Sequence, residues 1–345
     1  MAHRTPIYIC PRLHSHIKVQ SSCGSIMEYD GLIQITPSSL SCDAPVGVNI
    51  YVRQSVDQSP ILFVGSDQTV SSESLQRLCE TEDIRLYINT DDARIYRDYL
   101  KDRVSEWSDD DTVPAKSKAA ATAELVRSVL SDEFARNETD NIVGAAQHLA
   151  GHISQIVSDR SLTGPELCNI LHHDYGTFTH SANVGFYCSL LASRLGFTGD
   201  KLAEITSGGL LHDIGKLDID LRILNKPGKL DEFEFRTIKE HPLLGTRRLT
   251  KVKGVTKAQL LMTYQHHERL DGKGYPVGID GEDIDISSRI CSVADVFEAM
   301  TSNRPYRRAL SHAKVLEIMS AEVDTSFDQE VFACWTSIVK TRSSN

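Results

Sequence analysis

His212-Asp-Ile-Gly-Lys216, preceded by Leu210-Leu211, is the stretch around which the rest of the chain organises itself. It sets an imidazole, a carboxylate and an ammonium within one or two turns of backbone. Taken alone, His212-Asp213 also suits a satisfied hydrogen bond near a helix end. The neighbouring sequence shifts that reading, because the same half of the chain holds His180, His241, His266-His267 and Asp295 on widely separated segments.

Local pattern places each of these on or beside a helix. His180 shares a 3.6-residue stripe with Val184, Tyr187 and Leu191, the core-facing side of a helix ending at Gly196. His212 ends a helix opened by Asp200. Asp231 with Glu234 three residues on predicts a capped helix that leads to His241 and is stopped by Pro242. His266-His267 close a helix through Leu260, Leu261 and Tyr264. Asp295 lies in the apolar run Ile290–Met300, where a lone carboxylate is costly to bury without a cation or a partner.

Imidazole nitrogen with carboxylate oxygen suits borderline divalent ions such as iron, manganese, zinc or nickel. These groups are too many for one ion. Two ions roughly 3.5 to 4 Å apart, bridged by Asp213, would hold a hydroxide and clamp the attacking and leaving oxygens of a phosphoester displacement. Lys216 stands close enough to stabilise charge on the phosphoryl group or to protonate the leaving alkoxide. Gly272-Lys-Gly-Tyr-Pro276 reads as a tight loop whose Tyr275 offers a ring and a hydroxyl, and Arg304-Pro-Tyr-Arg307 offers two guanidinium groups for phosphate oxygens.

In order along the chain, His212-Asp-Ile-Gly-Lys216, Leu224-Asn-Lys-Pro-Gly228, Lys239-Glu-His-Pro242, His266-His-Glu-Arg269, Gly272-Lys-Gly-Tyr-Pro276, Ser288-Arg-Ile290 and the run from Asp295 to Arg307 resemble the HD-GYP domains of the HD phosphohydrolase superfamily. The resemblance covers residues 165 to 342, about half the chain. It implies an all-α domain that hydrolyses cyclic di-GMP to linear pGpG, and to GMP if a second turnover follows. It implies metal ligands at His180, His212, Asp213, His241, His266, His267 and Asp295, with Asp213 and Lys216 catalytic and Lys216, Tyr275, Arg304 and Arg307 on the dinucleotide. Two divalent ions, iron or manganese, are the implied cofactors. Some members bind a third metal through a Glu four residues before the first His; Gly176 stands there, so a binuclear site is expected.

Working outward, residues 1–112 are read as a small α+β regulatory or sensory domain, 113–163 as a helical linker and 164–345 as the HD-GYP domain, a multi-domain chain of 345 residues. Strands are expected at Ile17–Gln20, Gly31–Thr36, Val46–Arg53, Ile61–Val64 and Ile84–Asn89, with helices over Ser71–Cys79 and from Asp91 or Asp92 through Trp107. The segment from Ala119 to Asp159 reads as a connecting helix pair that packs on the next domain or on a second subunit, the latter making a homodimer.

Residues 1–112 carry 10 basic and 17 acidic side chains, and the whole chain has a net charge of -10, so bulk nucleic acid is a poor partner. No apolar run is long enough to span a bilayer or act as a signal peptide, and a soluble cytoplasmic chain is expected. The eight cysteines contain no C-x-x-C and read as reduced packing residues. Two rival functions share these residues. One is hydrolysis of another cyclic or linear nucleotide; the other is a low-turnover receptor that senses cyclic di-GMP or docks a signalling partner such as a diguanylate cyclase.

Overall fold

The computed structural model describes residues 31–53, 59–81, 85–159, 161–171, 177–226, 228–303 and 308–340. Strands β1 (Leu32–Ile35), β2 (Ile50–Arg53), β3 (Ile61–Val64) and β4 (Arg85–Asn89) form an antiparallel sheet in the order β1-β4-β2-β3. Helix α1 (Ser72–Glu80) links β3 to β4 and is capped by the Ser71 hydroxyl, as the serine run predicts. Helix α2 (Ala93–Trp107) follows and buries Tyr96, Leu100, Val104 and Trp107.

The second strand is shorter than expected, because Val46 and Val48 bury their side chains from irregular backbone ahead of it. The Asp92 carboxylate does not cap α2; a 3-10 turn over Thr90–Asp92 leads into the helix instead. The strand expected at Ile17–Gln20 lies outside the described residues.

The helix-favouring segment is two helices, α3 (Ala115–Arg136) and α4 (Thr139–Ser158). They part at Asn137, whose left-handed φ of 59° lets its N–H return to the Glu133 and Phe134 carbonyls. One side of α3 packs on α2 and on the turn Pro37–Ser39; its other side meets α4 and the helices that follow. The pair packs on the helices that follow, as expected for the first of its two uses.

Those helices are α5 (Gly164–Ile170), α6 (Thr177–Arg194), α7 (Gly199–Leu211), α8 (Leu221–Leu224), α9 (Glu232–Ile238), α10 (His241–Leu249), α11 (Lys257–Gln265), α12 (Ile286–Thr301), α13 (His312–Ser320) and α14 (Gln329–Lys340). The chain is thus a small α+β unit followed by an all-α one. The Asp231–Glu234 capping box forms as expected, with Glu234 N–H on Asp231 and Asp231 N–H on Glu234. Pro242, however, does not end a helix. It sits in the first turn of α10, where a missing N–H costs nothing, so His241 opens a helix rather than trailing one.

Helices α6 and α7 cross closely because Gly185 and Gly209 meet: a Cβ on Gly209 would lie 3.0 Å from the Gly185 Cα. Behind them Tyr187, Phe297 and Trp335 pack edge to face, with centroids 5.0 to 5.6 Å apart, and tie α6, α12 and α14 together. Cys42, Cys79, Cys168, Cys188, Cys291 and Cys334 are free thiols; Cys10 and Cys23 lie outside the described residues. Among the described residues no helix is long and apolar enough to cross a membrane.

The sheet unit is fastened to α3 by one buried carboxylate. Glu124 accepts from Thr36 N–H at 2.9 Å and from its hydroxyl at 2.5 Å, and pairs with Arg127 at 2.7 Å. Removing one partner of a buried pair strands the other charge, at about 3–5 kcal/mol. Glu124→Ala should lower unfolding stability in urea by that order; a loss below about 1 kcal/mol, the scale of an exposed pair, would show that Glu124 does not fasten the units.

Candidate metal centre

The site is built mostly from helix ends. His180 projects from the first turn of α6, His212 terminates α7, and Asp213 leads into a 3-10 turn over Ile214–Asp218 that carries Lys216. His241 begins α10, His266 ends α11 with His267 beside it, and Asp295 lies within α12. Gly215 allows this convergence. A Cβ there would collide with the His241 carbonyl oxygen and the Gly245 nitrogen, so only glycine lets the 3-10 turn lie against α10.

All seven expected ligands come together, in two groups. Ligand atoms of His180, His212 and Asp213 lie within 4.8 Å of one another, as do those of His241, His266 and His267. Asp213 stands between the groups. Its Oδ2 is 3.4 Å from both His180 Nε2 and His212 Nε2, and its Oδ1 is 3.2 Å from His241 Nε2 and 3.9 Å from His266 Nε2. Asp295 Oδ1 closes the first group, 3.1 Å from His180 Nε2. Each of these residues except His267 is at least nine-tenths buried.

The donor set fits divalent cations. A carbonyl only accepts, so His212 Nδ1–H donates to Gly209 O at 2.8 Å, His241 Nδ1–H to Ile238 O at 2.7 Å, and His266 Nδ1–H to Met262 O at 3.0 Å. Those bonds leave each Nε2 as the ligating atom, the arrangement typical of metal-binding imidazole. His241 Nε2 and His266 Nε2 then face each other at 3.2 Å, lone pair toward lone pair when both rings are neutral, a contact that a shared cation relieves. Asp213 Oδ1, buried and facing this group, accepts no hydrogen bond among the described residues.

Electrostatics follow the same division. Burial and the neighbouring His267 hold His266 well below its ordinary pKa, and burial with His241 holds His267 at about 3, so both present neutral rings. For His180 burial works against the charge, but Glu298, Asp213 and Asp295 outweigh it and raise the imidazolium well above its usual value. Burial likewise opposes ionisation of Asp213, and the Lys216 charge with the hydrogen bond from His180 overcomes it, leaving the carboxylate well below its ordinary range. Lys216 Nζ donates to Asp213 Oδ2.

Glu298 has a role that motif reading did not assign. It lies one turn beyond Asp295 and accepts from His180 Nδ1–H at 2.5 Å, Asn183 Nδ2 at 3.1 Å and the Ser302 hydroxyl at 2.6 Å. Burial opposes its charge, yet His180 brings it down to about 2. The signal available in sequence was a second carboxylate three residues after Asp295 in the same apolar helix. Glu268 went unassigned too: buried, it accepts from Val277 N–H and Gly278 N–H and so holds the loop bearing Tyr275.

Tyr275 sits against the second group, its ring stacked on His267 with centroids 4.6 Å apart and with Lys239 Nζ 4.9 Å from its centre. The ring expected to stack on a ligand thus already has partners, and burial keeps its hydroxyl protonated by raising its pKa well above the usual value. Arg304, Arg307 and Gly176 lie outside the described residues.

A cation at His180 Nε2 must displace a proton that Glu298 helps to hold. The charge on His180 contributes stability fully present below the ordinary imidazole pKa and lost as pH rises through the raised one. Metal affinity at the His180 group should therefore climb with pH across that window, with about one proton released per chain at neutral pH, measurable by calorimetry in two buffers of different ionisation enthalpy. Glu298→Gln should release fewer protons and bind metal about 10- to 100-fold more weakly; unchanged proton release would exclude His180 as the source.

Comparison with known proteins places the same segment. Residues 165–331 match the HD domain family. The chain is 41% identical over 157 residues to 3'3'-cGAMP-specific phosphodiesterase 3 of Vibrio cholerae, covering 46% of this chain and 34% of that one. It is 39% identical over 166 residues to the cyclic di-GMP phosphodiesterase PA4108 of Pseudomonas aeruginosa, covering 48% of this chain and 40% of that protein. The matched segment thus spans well under half the length of these relatives. The fold resembles that of Bd1817, a HDG"Y"P protein from Bdellovibrio bacteriovorus, with a TM-score of 0.62 at 21% identity over 90% of this chain and 100% of that one. These comparisons match residues 165–331 to the HD domain family, and that segment carries the ordered motifs and the convergent histidines.

Proposed function

We propose that this chain is a metal-dependent phosphodiesterase of cyclic dinucleotides, with cyclic di-GMP as substrate, linear pGpG as product and GMP after a second turnover. The observation that carries the reading is the Asp213 carboxylate, which turns one oxygen to each histidine group. The metal ligands proposed are His180, His212, Asp213, His241, His266, His267 and Asp295, for two divalent ions, iron or manganese. Such ions supply Lewis-acid charge and a nucleophile from water at neutral pH.

The protein's own groups do the rest. Asp213, ionised and fixed by its neighbours, keeps the two groups at one spacing. Lys216, whose ammonium reaches that same carboxylate, is close enough to offset charge on the phosphoryl oxygens or to give a proton to the leaving oxygen. The protonated Tyr275 hydroxyl is available to donate to the dinucleotide beside His267. Arg304 and Arg307 are proposed phosphate contacts. Glu298 fixes the His180 ring and Glu268 the Tyr275 loop.

We further propose residues 1–112 as a regulatory unit, 113–163 as the connecting helices and 164–345 as the catalytic domain. A second substrate reading, 3'3'-cGAMP, draws support from the Vibrio relative named for that nucleotide. The two are separated by chromatography of products after incubating each dinucleotide with protein loaded with ferrous or manganous ion. Preferential conversion of cyclic di-GMP is expected; faster conversion of 3'3'-cGAMP would reassign the substrate, and no conversion of either with metal bound would favour a receptor. Asp213→Ala should abolish turnover, and Lys216→Met should lower kcat by about 10²- to 10³-fold with metal content unchanged. A kcat within twofold of the parent would remove Lys216 from the chemistry.

A further inference from the structure

Lys239 stands at the junction of α9 and α10, two residues ahead of His241. Its N–H donates to the Phe235 carbonyl at 3.1 Å and so closes α9, which fixes its backbone close to the second histidine group. The side chain is half-buried, with Nζ 4.8 Å from the centre of the Phe235 ring and 4.9 Å from that of Tyr275. Tyr275 in turn stacks on His267, so the ammonium stands two ring contacts from a proposed metal ligand. The proposed chemistry gives this ammonium no part.

Two aromatic faces are a telling way to hold a lysine. A ring face attracts an ammonium but carries no net charge, so ring contacts fix where the charge sits without cancelling it. The loss of rotamer freedom is only partly offset by such contacts, which points to a use for the placed charge. A cyclic dinucleotide brings two phosphodiester charges into the site. One belongs at the centre, where Asp213 lies and Lys216 reaches it. The other needs a cation set apart from Asp213, and Lys239 is held against Tyr275 instead.

Resting on the catalytic reading above, we propose that Lys239 is a substrate-binding residue whose ammonium holds the phosphate that is not being cleaved. This assignment also bears on how far the reaction runs. In the first turnover a water oxygen bonds to phosphorus, the bond from that phosphorus to the ribose 3'-oxygen breaks with its electron pair, and the freed oxygen takes up a proton. The attacked phosphate becomes a terminal monoester, which is more negative at neutral pH than the diester it came from. A second turnover brings the remaining diester to the centre and leaves the monoester at Lys239. An ammonium attracts that monoester more strongly than a diester, so Lys239 serves the linear dinucleotide even more than the cyclic one.

Lys239→Met keeps an unbranched chain to pack on the two rings and removes the charge, whereas Lys239→Arg keeps the charge. The substrate is cyclic di-GMP, or 3'3'-cGAMP if the metal-loaded full chain prefers it. Lys239→Met should raise KM by about tenfold with kcat within threefold of the parent, and should raise the inhibition constant of the linear product by a larger factor still. The parent's KM should rise with salt more steeply than the variant's, and Lys239→Arg should recover most of the loss. A role confined to holding the Tyr275 ring would instead lower kcat and leave the salt dependence unchanged. A KM within twofold of the parent, a loss carried by kcat alone, or a linear product weakened less than the cyclic substrate would overturn the proposal. If the parent converts neither dinucleotide, the catalytic reading fails, and calorimetry with cyclic di-GMP decides the contact. Binding about tenfold weaker in Lys239→Met sustains it; equal binding, or none to the parent, overturns it.

Discussion

A carboxylate taken out of water must be met by positive charge or by donors, and in this fold the carboxylate that sets the problem is Asp213. Its Oδ2 faces His180, His212 and Lys216; its Oδ1 faces His241 and His266 and accepts no hydrogen bond among the described residues. Four separate helices and a 3-10 turn end at or cross this one group. Without it the two histidine groups would have nothing between them to hold a common spacing, and their ring nitrogens would confront each other across the gap.

Placing so many helix ends at one point requires backbones to come closer than side chains normally allow. Gly185 and Gly209 let α6 and α7 cross tightly enough for His180 and His212 to meet, and Gly215 lets the turn after Asp213 rest on the start of α10. Outer partners then fix the rings. Backbone carbonyls take the Nδ1 protons of His212, His241 and His266, whereas His180 uses Glu298, itself held by Asn183 and Ser302. The difference matters, because a carboxylate raises the proton affinity of the ring it holds and a carbonyl does so far less.

The sheet unit is not an independent bystander. Glu124 ties Thr36 to α3, and α3 and α4 pack on the histidine-bearing helices. The two units are therefore joined through packed helices and named hydrogen bonds.

Much of this was legible in the residues. The spacing of His180, His212-Asp213, His241, His266-His267 and Asp295 placed them on helices, the Asp231–Glu234 cap was readable as such, and the strand runs near Leu32, Ile61 and Leu86 were visible as β-branched clusters, because helix periodicity, capping and side-chain alternation are local properties of a chain. What was misread was also local but ambiguous: Pro242 ends one helix pattern and begins another with the same residue, and only the packing of α10 on the Gly215 turn decides between them. Which Asp213 oxygen faces which histidine, the service of Glu298 to a ring 118 positions away, the prior engagement of the Tyr275 ring by His267 and the Lys239 ammonium held against that same ring had no signature in the chain order. Each depends on distances between residues far apart in sequence. The sequence determined the chemical types and the helices that bear them; the tertiary structure decided their facing, spacing and protonation, because those follow from burial and mutual charge, which exist only once the chain has closed on itself.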